Sequence, residues 1–172
     1  MEKTSVNLCE NCPIEQDCCK HLTGLKLTEP EFNELFAPYR NLLTIRLNGP
    51  VYEISVKNGG SCPHWKNGCT VYSKRAVECR LFPYTMNQIK ISRGKVDISY
   101  HSRTNCPFKK QLLMPRSEAE ILISSFAEEA FGKGASIKIQ YESRWFRVKS
   151  FVTKFSRIKR FAMRKIGGIR SS

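Results

Sequence analysis

The chain has 172 residues, of which 41% are hydrophobic and 26% are charged, values that exclude a disordered protein. The N-terminus lacks the apolar run of a secretory signal, and no apolar stretch is long enough to cross a membrane. We therefore expect a cytoplasmic protein whose eight cysteines stay reduced and serve metal or redox chemistry rather than disulfides.

The first predicted helix follows a cysteine-rich N-terminal segment. Thr28 and Glu31 have the spacing of a capping box, in which each side chain accepts a hydrogen bond from the other residue's backbone. Phe32, Leu35 and Phe36 follow at helical spacing. The sequence therefore predicts a helix that begins at Thr28 and buries the face carrying these three residues.

Two β-hairpins are predicted next. Residues 42–56 show the alternation of a strand, interrupted by the turn sequence Asn48-Gly49-Pro50. Residues 89–100 repeat the pattern around the turn Ser92-Arg93-Gly94-Lys95. Each turn contains a glycine between two apolar runs, which favours antiparallel pairing of the flanking strands.

A second helix is predicted after Pro115. Ser117 and Glu120 again have capping-box spacing, and the apolar pattern continues to about Phe131 before Gly132 ends it. We therefore divide the chain into a cysteine-cluster metal-binding domain, residues 1–134, and a basic tail, residues 135–172. The predicted fold class is α+β, with short β-hairpins and a few helices.

The tail carries most of the chain's positive charge. Residues 141–172 contain ten basic residues and one acidic residue, so they hold +9 of the net charge of +14. At helical spacing the apolar side chains fall on one arc, which predicts a basic amphipathic helix. Three roles are open for it: packing on the cysteine domain, lying on an anionic membrane surface, or contacting nucleic acid or an acidic protein partner.

The cysteines form the strongest functional signal in the sequence. They fall into short windows between predicted elements, and one pair has the C-x2-C spacing that lets two thiolates point into one site. We expect metal binding, and all eight are candidate ligands: Cys9, Cys12, Cys18, Cys19, Cys62, Cys69, Cys79 and Cys106. Consecutive side chains point in different directions, so we expect only one of the neighbours Cys18 and Cys19 to ligate a given ion.

The spacing favours an iron–sulfur cluster over zinc. A two-knuckle zinc site would need a second short cysteine pair, and Cys62, Cys69 and Cys79 are too widely spread to supply one. Three of the cysteines are followed by proline, as in some ferredoxin cluster loops. Structural zinc remains the alternative.

Other residues near the cysteines have candidate supporting roles. Arg75 and Arg80 flank Cys79, and either guanidinium could offset the negative charge of a thiolate cluster or donate to sulfur. The three histidines, His21, His64 and His101, are expected to be bystanders because enough cysteines are available. The aromatic residues of this region are expected to pack beneath the site.

The second cysteine region resembles a known family. Residues 62–84 read CPHWKNGCTVYSKRAVECRLFPY. They resemble the YkgJ-like family of zinc- or iron-chelating cysteine-cluster proteins, whose cysteine group precedes a C-x-I/V-Y-x-x-R-P-x-x-C-R-x-F-P block. The leading group is matched by Cys9, Cys12, Cys18 and Cys19, and the block by Cys69, Tyr72, Arg75, Cys79, Arg80, Phe82 and Pro83. Ala76 stands where the family usually has proline, and the resemblance covers about residues 9–110.

This resemblance implies metal binding and leaves the reaction open. The first hypothesis is an iron–sulfur protein that transfers electrons or supports a modification enzyme. The second is a structural-zinc module that presents its basic tail to a membrane or nucleic-acid partner. A third, a component of flagellin or protein lysine N-methylation, follows from kinship alone. Whether the chain is itself an enzyme is not decided by the sequence.

Overall fold

The computed structural model describes residues 17–102 and 114–142, and of Asp17 and Cys18 only the backbone. Within these ranges four α-helices and six strands alternate with short 3-10 turns. In chain order they are α1 (Asp17–Lys20), β1 (Leu25–Leu27), α2 (Glu29–Glu31), β2 (Leu43–Asn48), β3 (Val51–Val56), α3 (Val77–Arg80), β4 (Tyr84–Ser92), β5 (Lys95–Ser102), α4 (Arg116–Phe131) and β6 (Ser136–Tyr141). The predicted α+β class, with short hairpins and few helices, is confirmed.

The capping box at the start of α2 is present as predicted. The Thr28 hydroxyl accepts from the Glu31 N–H at 3.3 Å, and the Glu31 carboxylate accepts from the Thr28 N–H at 3.0 Å. The helix continues as a π-helical turn over Phe32–Phe36 and a 3-10 segment over Ala37–Leu42. The three apolar residues predicted to face inward, Phe32, Leu35 and Phe36, are all buried.

The first hairpin belongs to a three-stranded antiparallel sheet in the order β1-β3-β2. Ile54 of β3 is fully buried and faces Leu25 of β1 on one side and Ile45 of β2 on the other. The strand alternation predicted for β2 holds only at its start, because Leu43 is buried whereas Leu47 is 66% exposed. The buried face of this sheet and the helical segment after Thr28 form one apolar core.

The second hairpin is part of another three-stranded sheet, in the order β4-β5-β6. Its turn residues Arg93 and Gly94 both have positive φ, 47° and 75°, as the tightest hairpin turns require. The inner face of α4 presents four fully buried side chains at helical spacing. They are Ala119, Ile123, Phe126 and Ala127.

The two hairpins meet at the turn of the first. The Asn48 side-chain amide donates to the Ile89 carbonyl oxygen at 2.8 Å. Gly49 has a φ of 59°, and a Cβ at this position would lie 2.6 Å from the Ile91 Cδ1. The positive φ favours glycine in this turn, and any side chain there would also have to displace the end of the Ile91 side chain.

Two predictions for the C-terminal half are wrong. The capping box at Ser117 and Glu120 does not form, because α4 has Pro115 at its N-cap and Ser117 already lies in the first turn. The Glu120 carboxylate instead accepts from the Tyr100 hydroxyl at 2.8 Å. Residues 136–141, which the predicted domain boundary assigns to the tail, form β6 of the second sheet. The predicted amphipathic helix beyond residue 142 lies outside the described residues.

A helix that crosses a membrane must be both long and apolar. Among residues 17–102 and 114–142, no helix is both long and apolar enough to cross a bilayer.

Candidate metal centre

One cavity of about 120 Å³ collects the cysteines. Every cysteine side chain in the described ranges lines it: Cys19, Cys62, Cys69 and Cys79. All four are partly buried. Cys19 comes from α1, and the other three come from one later stretch of the chain, the loop after the first sheet and the nearby helix α3. The rest of the wall is mainly apolar, and its residues include Leu22, Leu25, Leu35, Phe36, Val71 and Phe82.

Backbone hydrogen bonds bring the first two segments together. The Cys62 N–H donates to the Cys19 carbonyl oxygen at 2.7 Å, and the Leu22 N–H donates to the Gly60 carbonyl oxygen at 3.3 Å. The end of α1 is thereby fastened to the loop that follows the first hairpin. Because these bonds use backbone atoms, they hold the two segments together without using either cysteine side chain.

A tight loop between Cys62 and Cys69 brings its two cysteines near each other. The Trp65 N–H donates to the Cys62 carbonyl oxygen at 2.9 Å, and Trp65 and Cys69 form an isolated antiparallel bridge. The Thr70 N–H donates to the His64 carbonyl oxygen at 2.9 Å, closing the loop. The loop thus returns on itself with a thiol at each end, which is the arrangement of a ligand-bearing loop.

Glu78 holds the helix that carries Cys79. This carboxylate is only 6% exposed, and it accepts from the Thr85 hydroxyl at 3.0 Å and the Met86 N–H at 3.1 Å. The Lys26 backbone N–H also donates to it, and the Lys26 ammonium lies 3.8 Å away. One side chain therefore ties α3 to β1 and to β4, which fixes the adjacent Cys79 at the cavity.

A second carboxylate supports the same helix from its N-terminal end. Glu31, besides capping α2, accepts from the Val77 N–H at 2.6 Å. The Thr28 hydroxyl in turn donates to the Glu129 carboxylate of α4 at 2.7 Å. An acidic acceptor at the start of a helix satisfies an N–H that has no partner within the helix. These hydrogen bonds join α2, α3 and α4.

Burial keeps two of the cavity thiols protonated at neutral pH. Burial is the main cause that raises the pKa of Cys79, and the nearby Glu78 carboxylate adds to it. Burial likewise raises the pKa of Cys62, although a hydrogen bond from the His64 backbone N–H opposes the shift. A thiolate at either position costs free energy unless a cation compensates it.

The two arginines that flank Cys79 differ in their position relative to the cavity. Arg75 lines the cavity, and its positive charge partly opposes the rise in the pKa of the Cys79 thiol that burial causes. Its guanidinium stacks on the Tyr72 ring at 3.8 Å, and its Nε donates to the Tyr72 carbonyl oxygen at 3.1 Å. Arg80 is exposed, does not line the cavity, and acts instead on the Glu31 carboxylate.

Two of the three histidines lie at the cavity, which the sequence did not lead us to expect. His64 and His21 both line it, and each donates one ring N–H to a backbone carbonyl oxygen. His101 lies in β5, away from the cavity. The only signal in the sequence was their closeness to cysteines, which all three histidines share.

The cavity side chains are spaced more widely than the ligands of one ion. Within the described ranges, no three His, Cys, Asp or Glu side chains stand close enough together to hold a metal. The donor types suit a thiolate-bound metal, but the cysteine side chains would have to rotate inwards to share it. Of the other predicted ligands, Cys9, Cys12 and Cys106 lie outside the described residues, as does the side chain of Cys18.

Comparison with known proteins gives no relatives for this chain. No family model, no curated protein and no solved structure matches it. The resemblance to the YkgJ-like family therefore stays a prediction.

Proposed function

We propose that this chain binds a metal centre through thiolates in the cavity formed by Cys19, Cys62, Cys69 and Cys79. The observation that carries the proposal is that Cys19 and the three cysteines of residues 62–79, which are more than 40 residues further along the chain, line the same cavity. Buried free cysteines scattered through a core would not need to share a cavity. In a reducing compartment, such a cluster serves metal or redox chemistry rather than a disulfide.

The surroundings of the thiols support this proposal. The His64 N–H donates to the Cys62 sulfur, and such N–H···S bonds stabilise thiolate ligands in metal loops. Arg75 supplies a positive charge beside Cys79. Because the pKa values of Cys62 and Cys79 are raised, a divalent ion would displace protons as it binds, so its affinity should rise with pH.

An iron–sulfur cluster is our preferred form of this centre. Four cysteines are the usual ligand set, and a bound cluster would supply one-electron transfer. The chain's own residues would hold the cluster, limit its access to water through the apolar wall, and set its charge environment through Arg75 and Glu78. We propose a cytoplasmic electron carrier, or a partner of a modification enzyme.

Structural zinc is the second candidate, and the histidines favour it. Zinc sites in proteins are built from three cysteines and one histidine as well as from four cysteines. An imidazole whose tautomer is fixed by a backbone carbonyl is suited to such a role. In this form the centre would fasten α1, the loop and α3 to one another without electron transfer.

Elemental analysis tests the proposal. The full chain should be purified without oxygen and assayed for iron, acid-labile sulfide and zinc per chain, together with its absorption spectrum. Iron and sulfide with broad absorption near 400 nm would support the cluster, and stoichiometric zinc in a colourless sample would support the second candidate. A folded sample that takes up neither metal when both are supplied would refute both forms.

A further inference from the structure

His64 is held at the cavity wall in a defined orientation. Its Nε2 lies 2.7 Å from the Leu35 carbonyl oxygen. The ring makes edge-on contacts with Phe36, at 5.2 Å between centroids, and with Tyr39, at 5.3 Å. Three contacts on a side chain with two rotatable bonds fix both the position and the rotation of the ring.

The hydrogen bond also fixes the tautomer of His64. A carbonyl oxygen can only accept, so the proton must be on Nε2, which leaves the lone pair on Nδ1. Histidines that ligate metals are commonly prepared in this way, with one ring N–H donating to a backbone carbonyl and the other nitrogen facing the ion. His64 has the first half of this arrangement, with a ring N–H donating to the Leu35 carbonyl oxygen, and it lines a cavity that four cysteines also line.

The backbone of the same residue contacts a proposed ligand. The His64 N–H donates to the Cys62 sulfur, so the thiol and the imidazole belong to one turn of chain. Movement of the Cys62 side chain towards an ion would therefore take place beside the ring of His64.

The charge of the site argues for a neutral ligand. The cavity contains the Glu78 carboxylate beside Cys79, while Arg75 is the one cationic side chain among the described residues of its wall. The Lys26 ammonium lies 3.8 Å from the Glu78 carboxylate and offsets its charge, but four thiolates around a divalent ion still leave −2 against the single charge of Arg75. Exchanging one thiolate for a neutral imidazole removes one negative charge.

We propose that the Nδ1 of His64 is a ligand of the metal centre, completing a mixed set with cavity thiolates. This inference rests on the proposed function and specifies its ligand set. A bound zinc would then have nitrogen and sulfur ligands, and a bound cluster would have a higher reduction potential than its all-cysteine counterpart. The alternative imidazole is that of His21, whose Nδ1 donates to the Gly59 carbonyl oxygen at 2.9 Å.

The opposite tautomers of the two histidines make the inference testable without any substitution. His64 would ligate through Nδ1 with its proton on Nε2, whereas His21 would ligate through Nε2 with its proton on Nδ1. The full chain should be labelled with ¹⁵N-histidine, loaded with ¹¹³Cd²⁺ without oxygen, and studied by NMR. A one-bond cadmium–nitrogen coupling at the Nδ1 of an Nε2-protonated ring is the expected result.

Two matched variants assign that coupling. His64→Gln keeps a side-chain N–H for the Leu35 carbonyl oxygen but lacks the ring nitrogen, and His21→Gln makes the same exchange at the other histidine. We expect the coupling to vanish in H64Q and to persist in H21Q. We also expect H64Q to weaken zinc binding by more than about 10-fold, since changing even an outer-shell partner costs 10–100-fold.

Failure of the His64 role and failure of metal binding would give different results. Cadmium bound by sulfur alone, a coupling at Nε2, or a coupling lost in H21Q would overturn the role of His64 while leaving metal binding intact. A folded chain that takes up neither iron and sulfide nor zinc or cadmium would overturn the proposed function, and the role of His64 with it. If H64Q does not fold, the ring nitrogen that couples in the unsubstituted chain decides the question.

Discussion

At the scale of single residues, the neighbours Cys18 and Cys19 test the proposed ligand set. Cys19 lines the cavity and its carbonyl oxygen is bonded to the Cys62 N–H. Adjacent residues of a helix are about 100° apart around its axis, so we expect only one of these neighbours to ligate a given ion. We predict that Cys19→Ser weakens metal affinity more than about 10-fold, whereas Cys18→Ser does so much less.

Competition with a coloured chelator measures both affinities, and circular dichroism checks that both variants fold. Equal losses in the two variants would contradict the preference for Cys19 over Cys18, and an unchanged affinity in Cys19→Ser would remove Cys19 from the ligand set.

Position 76, where the YkgJ-like family usually has proline, allows a test of whether proline would stabilise this chain. Its φ of −52° lies in the range that proline adopts, and Arg75 before it has the extended backbone that a following proline requires. No hydrogen bond from the Ala76 N–H is found within the described ranges, and the residue lines the cavity, which leaves room for a ring. We predict that Ala76→Pro raises the free energy of unfolding by about 0.4–1 kcal/mol, measured in urea.

The matched control is Ala119→Pro in α4. The Ala119 N–H donates to the Pro115 carbonyl oxygen at 3.1 Å, and proline there should cost about 3 kcal/mol. If both substitutions destabilise the chain equally, the backbone argument for Ala76 fails.

The sequence identified the cysteines of the candidate site but not its other polar residues. Cysteines in loops are rare enough to be recognised by type and spacing, whereas a glutamate such as Glu78 resembles any surface carboxylate until its burial is known. The position of the His64 ring could not be predicted either, because the partner that fixes it is a backbone carbonyl 29 residues away. Such contacts depend on tertiary structure, which spacing does not reveal.

At the scale of elements, α3 depends on the carboxylate of Glu78. Glutamine at this position keeps one oxygen but turns an NH2 group towards the N–H and hydroxyl donors of Lys26, Thr85 and Met86. A buried donor without a partner costs about 1–3 kcal/mol. We predict that Glu78→Gln lowers the free energy of unfolding by this amount, measured in urea.

Glu34→Gln is the matched control for this substitution. Glu34 pairs with Lys74 at 3.7 Å, but both side chains are largely exposed, so the change should stay within about 0.5 kcal/mol. Equal effects of the two substitutions would show that Glu78 does not hold α3.

The junction of α2 and α3 should make stability depend on pH. Burial is the main cause that raises the pKa of Glu31 above its ordinary value of 4.5, and the nearby Glu129 adds to the shift. The folded chain therefore binds this proton more tightly than the unfolded chain. The resulting stabilisation is fully present below pH 4.5 and is lost as pH rises through the folded pKa.

Glutamine at position 31 cannot titrate, so it provides the comparison. We predict that the stability of the unsubstituted chain relative to Glu31→Gln falls as pH rises from about 4.5, measured by urea unfolding at several pH values. A difference that stays constant or grows with pH would contradict this assignment.

Elements with strong local signals were predicted well. Both hairpins formed where a glycine turn separates alternating runs. The Thr28 capping box formed because the first N–H groups of a helix have no acceptor within the helix, so nearby side chains can accept from them. The Ser117 capping box failed because proline at position 115 already starts the helix. Residues 136–141 became a strand because an open sheet edge lay beside them, which local pattern does not show.

At the scale of the whole molecule, the fold acts as a frame around one cavity. The first sheet and its helical segment form an apolar core against which Cys62 and Cys79 pack. The Glu78 carboxylate then joins that core to the second hairpin, the Glu31 carboxylate accepts from α3, and the Thr28 hydroxyl donates to Glu129 of α4. The α+β class could be predicted from periodicity, but the convergence of α1, the 62–69 loop and α3 could not, because it is made by long-range contacts.

Cysteine footprinting would show most directly whether the cavity cysteines bind a metal. The full chain would be treated with iodoacetamide without oxygen, either with zinc or with iron and sulfide supplied, or with a chelator present. The extent of modification of each cysteine would be read by mass spectrometry. We predict that metal slows the alkylation of Cys62, Cys69 and Cys79 relative to the chelated sample, in which burial alone protects them. Identical alkylation of these cavity cysteines with and without metal would contradict the account.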